Sequence, residues 1–231
     1  RNMVLLQGRH QALRKMSSVQ EAQGCHGMMV MIDQRGARFG YLCALHPGRL
    51  GNLISPPRWS EPLEFAPYAI DNGAFTGFNE LDLLAMIQKA RRAPIPPIWI
   101  VVPDAVGDAI ETIRLWREWE PRLRPLGWPL AMAMQDGMTP DDCRGDIAFI
   151  GGTTEWKWRN LSMWAGMRFH VGRVNTERHL WQCHDAGAES CDGTGWFRGN
   201  KAQFDGLLRY IERTDTGKPQ HDTLPLFDQP R

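Results

Sequence analysis

No Cys-x-x-Cys pair occurs among the five cysteines of this chain, Cys25, Cys43, Cys143, Cys183 and Cys191. Their odd number and scattered spacing do not fit a secreted disulfide framework, so a reducing cytoplasm is the expected setting. The chain also lacks any run of about 18 apolar residues, a signal peptide and a lipidation motif, which argues against membrane insertion. It has no strong charge of either sign: 27 basic against 26 acidic residues give a formal net charge of +1. No global field therefore draws it to a polyanion, and a nucleic-acid partner would have to be held by a local patch. Nor is there a Gly-x-Gly-x-x-Gly turn to mark the nucleotide crevice of a doubly wound sheet.

From residue 68 onward, short apolar runs alternate with segments of helical period, the pattern of βαβ units and a parallel sheet. Strands are expected at 68–71, 98–102, 129–134, 147–150, 168–171 and 189–191. Helices are expected at 80–92 with Asn79 as cap, at 108–120 ending at Pro121, at 175–187, and at 201–212. The first of these helices should turn Leu81, Leu84, Ile87 and Ala90 to the sheet, and the second Ile110, Ile113, Trp116 and Trp119. Residues 27–32 and 41–45 are candidates for the two missing strands. A single (β/α)8 barrel, irregular toward its N-terminus and spanning residues 1–213, explains this order better than an open sheet. Residues 214–231 are polar and aperiodic, and are expected to form a flexible tail.

If the strands are parallel, their C-terminal ends gather Asp71, Asp104, Gln135, Gly151, Gly152 and Asp192 on one rim. Two or three carboxylates around a pocket can divide into a nucleophile and a general acid or base, because environment separates their pKa values. Each aspartate taken singly is equally well a turn or helix cap, as Asp108, Asp141 and Asp142 are expected to be. His179 and Cys183 form only an i, i+4 pair, and with His184 and Cys191 they do not have metal-site spacing.

The order Ile70-Asp71-Asn72-Gly73-Ala74-Phe75, Val102-Pro103-Asp104, Gln135-Asp136-Gly137, Phe149-Ile150-Gly151-Gly152, His170-Val171-Gly172-Arg173 and Cys191-Asp192 resembles the tRNA-guanine transglycosylases. Given the short chain, it looks most like their DNA-directed relatives, the DpdA-type 7-deazaguanine DNA transglycosylases of phages and bacteria. The resemblance covers about residues 68–200. It implies that Asp192 is the nucleophile and Asp71 the general base. It further implies that Asp104, Gln135, Phe75 and the Gly151 and Gly152 amides bind the heterocycle. The implied substrates are guanine in DNA and a 7-deazaguanine base such as preQ0. Arg173, Arg198 and Lys157 would hold flanking phosphates, and Trp156, Trp158 or Trp196 would stack on the extruded base.

The chain departs from that pattern in places. Asn72 and Ala74 stand where the family has Ser and Gly, and Asp192 is followed by Gly-Thr-Gly-Trp. The three-cysteine, one-histidine zinc site of the tRNA enzymes has no counterpart, so no cofactor is expected. Residues 220–227, Gln-His-Asp-Thr-Leu-Pro-Leu-Phe, resemble a sliding-clamp docking peptide, although a tail packing on its own barrel is an equal expectation. Excision of the base by water, a silent nucleic-acid- or nucleoside-binding barrel, and tRNA as the polymer all remain open.

Overall fold

In a computed structural model, residues 27–33 and 36–217 are described. Eight strands, β1 (Met29–Ile32), β2 (Leu50–Ile54), β3 (Tyr68–Ile70), β4 (Ile100–Val101), β5 (Leu130–Met134), β6 (Ile147–Ile150), β7 (Phe169–Val171) and β8 (Ser190–Asp192), pair in sequence order into a closed barrel. Every pairing is parallel, including the closing one that sets Met31 opposite Asp192. Side chains alternate across each strand, which divides the apolar residues into two clusters. Met29, Met31, Leu53, Ala69, Trp99, Val101, Ala131, Ala133 and Ile147 fill the barrel axis, with Phe149 packed on them. The larger cluster, including Val30, Leu130, Met132 and Phe169, lies between the strands and the helices.

Seven helices flank the strands among the described residues: α1 (Ala37–Leu45), α2 (Glu80–Ala90), α3 (Ala109–Leu123), α4 (Thr154–Asn160), α5 (Glu177–Asp185), α6 (Gly195–Arg198) and α7 (Lys201–Asp215). Side-chain caps start several of them. Asn79 accepts from the Asp82 N–H, Asp108 from Glu111, Thr176 from His179, and Asn200 with Gln203 forms a capping box. Asp142 likewise closes a capping box with Thr139 on a 3-10 turn.

Four expectations are corrected. Residues 41–45 are the end of α1, and the second strand is Leu50–Ile54. Helix α3 runs through Pro121 to Leu123, because burial of Trp116, Trp119 and Leu123 holds its last turn on the sheet despite the missing N–H. The inward faces are also rotated: Leu83 and Met86 join Ile87 and Ala90 in the core, while Leu81 is exposed, and Ile110 is 84% exposed with Thr112 buried in its place. Helix α7 extends past the expected boundary at 213, and Asp215 at its end accepts from Arg49 Nε at 2.5 Å and contacts His46 Nδ1 at 2.8 Å. The clamp-like peptide at 220–227 lies outside the described residues.

Candidate active site

The C-terminal strand ends open on a cavity of about 670 Å³. Of the residues expected to form a site, Asp71, Phe75, Asp104, Gln135, Gly151, Gly152, Arg173, Asp192 and Arg198 all line it. The alternation that sends Met29 and Met31 inward along β1 sends Ser190 and Asp192 inward along β8. The same rule puts His170 inside from β7.

These three side chains form a chain of hydrogen bonds. Ser190 Oγ lies 2.8 Å from His170 Nδ1, and His170 Nε2 lies 3.0 Å from Asp192 Oδ2. The imidazole is fully buried, stacked on Phe149 at 4.8 Å and edge-on to Trp99 at 4.9 Å. A serine at the buried end and a carboxylate at the cavity end reverse the order a serine hydrolase requires, so the member of the chain that faces the cavity is Asp192. Its other oxygen, Oδ1, accepts the Arg173 N–H at 3.2 Å. Each carboxylate oxygen keeps a further lone pair for a ligand.

Two more carboxyls share the cavity. Asp71 accepts from Ser55 Oγ and from the Asn72 N–H, both at 2.8 Å. Burial first, and the nearby Asp192 charge second, push its carboxyl above the usual carboxylate range despite those hydrogen bonds. Asp104 accepts from Asn72 Nδ2 and Gln135 Nε2, each at 2.7 Å. Both donors are fixed in orientation, because Asn72 Oδ1 accepts the Ala74 N–H and Gln135 Oε1 accepts the Gly107 N–H. Burial pushes Asp104 up to about 6, against the pull of those donors and with a smaller push from Asp71.

The glycine pair differs from expectation. The Gly151 N–H already donates to Met134 O at 3.1 Å, which takes that amide from a ligand. The Gly152 carbonyl instead accepts from Arg173 Nη2. Gly152 itself sits at φ 53°, and a side chain there would meet Trp156 at 2.5 Å. Arg173 lays its guanidinium 5.0 Å from the Phe75 ring centroid, and Phe75 is 67% exposed at the mouth. Arg198 pairs with Asp33 at 2.8 Å.

Lys157 is a correction. It is buried, and its ammonium donates to the Gly172 carbonyl, so it presents no charge to a phosphate. Trp158 does not line the cavity; its ring stacks on His179 at 4.0 Å, which occupies one face. Trp196 is fully buried and Trp156 makes an edge contact with Trp164; neither lines the cavity. Among the described residues no group of three or more His, Cys, Asp or Glu side chains is arranged to hold a metal ion. No helix among them is long and apolar enough to cross a membrane.

The sequence reading assigned no role to His170, Ser190, Ser55 or Asp33. Strand alternation was the available signal for the first two. Asp33 directly follows β1, near enough to Asp192 to feel its charge; burial raises its pKa while Arg198 lowers it.

The sequence matches no protein-family model and no curated protein. Solved structures share the barrel. A protein of Aquifex aeolicus VF5 superposes with a TM-score of 0.54 at 12% identity, over 90% of this chain and 98% of that one. The BexX/CysO complex of Amycolatopsis orientalis gives 0.51 at 11% identity, over 86% and 95%. The 3-hexulose-6-phosphate synthase of Salmonella typhimurium gives 0.50 at 8% identity, over 82% and 99%. At such identities the likeness is one of fold, a closed eight-stranded parallel barrel.

Proposed function

We propose that the protein is a pentosyltransferase that exchanges guanine in DNA for a 7-deazaguanine base through a covalent aspartyl-glycosyl intermediate on Asp192. The observation that carries this reading is convergence. Asp71, Asp104, Gln135, Gly151, Gly152 and Asp192, which follow the order of the transglycosylase motifs, line one cavity. Its volume of about 670 Å³ suits a purine with its sugar. The choice of DNA rests on resemblance to the short DNA-directed enzymes.

The chemistry follows from the carboxyl environments. Asp192 attacks C1′ of an extruded guanine nucleotide; the C1′–O bond forms as C1′–N9 breaks, and the electron pair leaves with guanine. Asp71, whose carboxyl burial raises above the usual carboxylate range, is the group placed to give a proton to the departing base. After guanine leaves, the Asp71 carboxylate takes the N9 proton of the incoming deazaguanine. N9 then attacks C1′ and releases Asp192. Two inversions give net retention. The Asn72–Asp104–Gln135 chain supplies the polar edge against which the heterocycle docks, and Phe75 under Arg173 supplies a ring face.

The test is to incubate the protein with preQ0 and guanine-containing single-stranded DNA or, separately, tRNA, and to weigh the digested nucleosides. A deazaguanine deoxynucleoside, absent with Asp192→Asn, is expected. Incorporation in tRNA alone moves the substrate to RNA. Free guanine without incorporation makes the protein an excising N-glycosidase, and unchanged nucleosides in both polymers overturn the reading.

A further inference from the structure

Lys157 is 1% exposed, and its ammonium donates to a backbone carbonyl, that of Gly172, rather than to a carboxylate. Burying a cation without an anionic partner is unfavourable, and here burial lowers its pKa to about 8. The Trp158 ring, its centroid 5.3 Å from the ammonium, offsets part of that cost, and the hydrogen bond to the Gly172 carbonyl ties the charge to the backbone of the site. The Gly172 carbonyl belongs to the same peptide unit as the Arg173 N–H, and that N–H donates to Asp192 Oδ1 at 3.2 Å. The peptide is trans, so its C=O and N–H point in opposite directions. One planar unit therefore has an ammonium at its oxygen end and the Asp192 carboxylate at its nitrogen end. A cation on the oxygen polarises the amide and strengthens the N–H as a donor.

Two further observations show that this peptide is held in place. Arg173 has φ 60°, a left-handed conformation unusual for a residue with a side chain. Gly172 leaves room for the approach: a Cβ there would lie 3.0 Å from Phe149 Cε1 and 3.4 Å from Asp192 Oδ2.

The geometry points to Lys157 as a positioning residue that grips the Gly172–Arg173 peptide from outside the barrel and so holds the Asp192 carboxylate aimed into the cavity. Its importance for base exchange rests on the function proposed above; the coupling itself does not. The titratable and charged groups facing Lys157 are Arg173, Asp192, Cys183, Cys191 and His179. Burial keeps both thiols neutral by raising them, Cys183 to about 12, and lowers His179. Arg173 and Asp192 are therefore the charges that matter.

The test uses the full chain. The amide proton of Arg173 is followed by NMR from pH 6 to 10 in the wild type, in Lys157→Met and, to identify the carboxylate contact, in Asp192→Asn. In the wild type the amide is expected to shift with a midpoint near 8, as Lys157 loses its charge. That inflection disappears in Lys157→Met, where methionine fills the same volume without a buried charge and the melting temperature does not fall. Turnover in Lys157→Met is expected to drop about tenfold at neutral pH with KM little changed, and the wild type's alkaline loss of kcat near pH 8 is expected to vanish. An Arg173 amide that stays flat from pH 6 to 10 in the wild type overturns the proposal, and this arm needs no variant to fold. A Lys157→Met protein with wild-type kcat and pH profile overturns it as well. A wild type without exchange activity but with the amide inflection overturns the transglycosylase reading and leaves the coupling standing.

Discussion

His170 and Asp192 meet where the barrel interior gives way to the cavity: Nε2 faces Oδ2 at 3.0 Å from a fully buried ring. Replacing His170 by Phe keeps a ring against Phe149 and Trp99 but leaves Asp192 Oδ2 and Ser190 Oγ without this partner. Loss of a buried partner costs about 1–3 kcal/mol. His170→Ala adds a cavity and is expected to cost about 2–4 kcal/mol. Urea denaturation should rank the two in that order, and both should lose turnover by about a hundredfold in the exchange assay, roughly the effect of misplacing a nucleophile.

Asp104 gives a pH prediction. Its folded pKa, about 6, lies above its unfolded value. Between about pH 4 and 6 the folded chain therefore binds more protons than the unfolded one, and this group's contribution to stability falls as pH rises through that window. The total change is at most roughly 3 kcal/mol. Asp71, raised for the same reason, adds a slope of the same sign. Denaturation of Asp104→Asn across pH 4 to 7 should show a flatter profile than the wild type. It should also show a lower maximum, because an amide NH2 would face the donors of Asn72 or Gln135, whose orientations are fixed.

Gly193 follows Asp192 directly, and a Cβ on it would fall 1.9 Å from Val174 O. That oxygen belongs to a backbone fixed by the Val174 N–H, which donates to Asp192 O at 2.6 Å. Gly193→Ala is expected to destabilise by about 2–3 kcal/mol and to abolish activity by displacing the strand end that carries the proposed nucleophile. Gly40→Ala, inside α1 with its nearest contact at 3.5 Å, is expected to stabilise by about 0.5–1 kcal/mol. Thermal melts of the two variants check the contrast.

Phe75 is two-thirds exposed, so Phe75→Ala should leave the melting temperature nearly unchanged. Its ring carries the Arg173 guanidinium on one side, and loss of a stacking platform is worth about 1–3 kcal/mol per base. KM for the polymer should rise about tenfold or more, with kcat less affected.

Much of the barrel was legible in the sequence because its strands end abruptly in polar turns. The run from Leu130 to Gln135 and the one from Ile147 to Gly151 each show where the chain leaves the sheet. Strand β2 was not legible. Leu50–Ile54 contains Gly51 and Asn52, residue types depleted in strands, yet Gly51 is required by packing: a side chain there would lie 2.6 Å from Met31 Sδ and 2.9 Å from Met29 Sδ. The apolar run at 41–45 took its place in the reading because five residues are too few to separate strand from helix. Among site residues, the acidic strand ends were visible through their neighbours in sequence. Lys157 was misread for the opposite reason: Glu155, Trp156, Trp158 and Arg159 look like a solvated surface, and only the contact with the Gly172 carbonyl just after β7 shows the lysine to be interior. His170 needed a partner 22 residues away to acquire meaning.

The same methionines that demand Gly51, together with Trp99, Ala131 and Ile147, fill the barrel axis beneath the cavity. Among the described residues these side chains floor the cavity, which opens at the C-terminal strand ends. For the proposed exchange this dictates the order of events. Guanine has to depart through the mouth by which the deazaguanine enters, while the sugar stays bonded to Asp192, so the two bases never occupy the well together. Steady-state rates measured at several concentrations of each substrate should then give parallel double-reciprocal lines, the pattern of a double displacement.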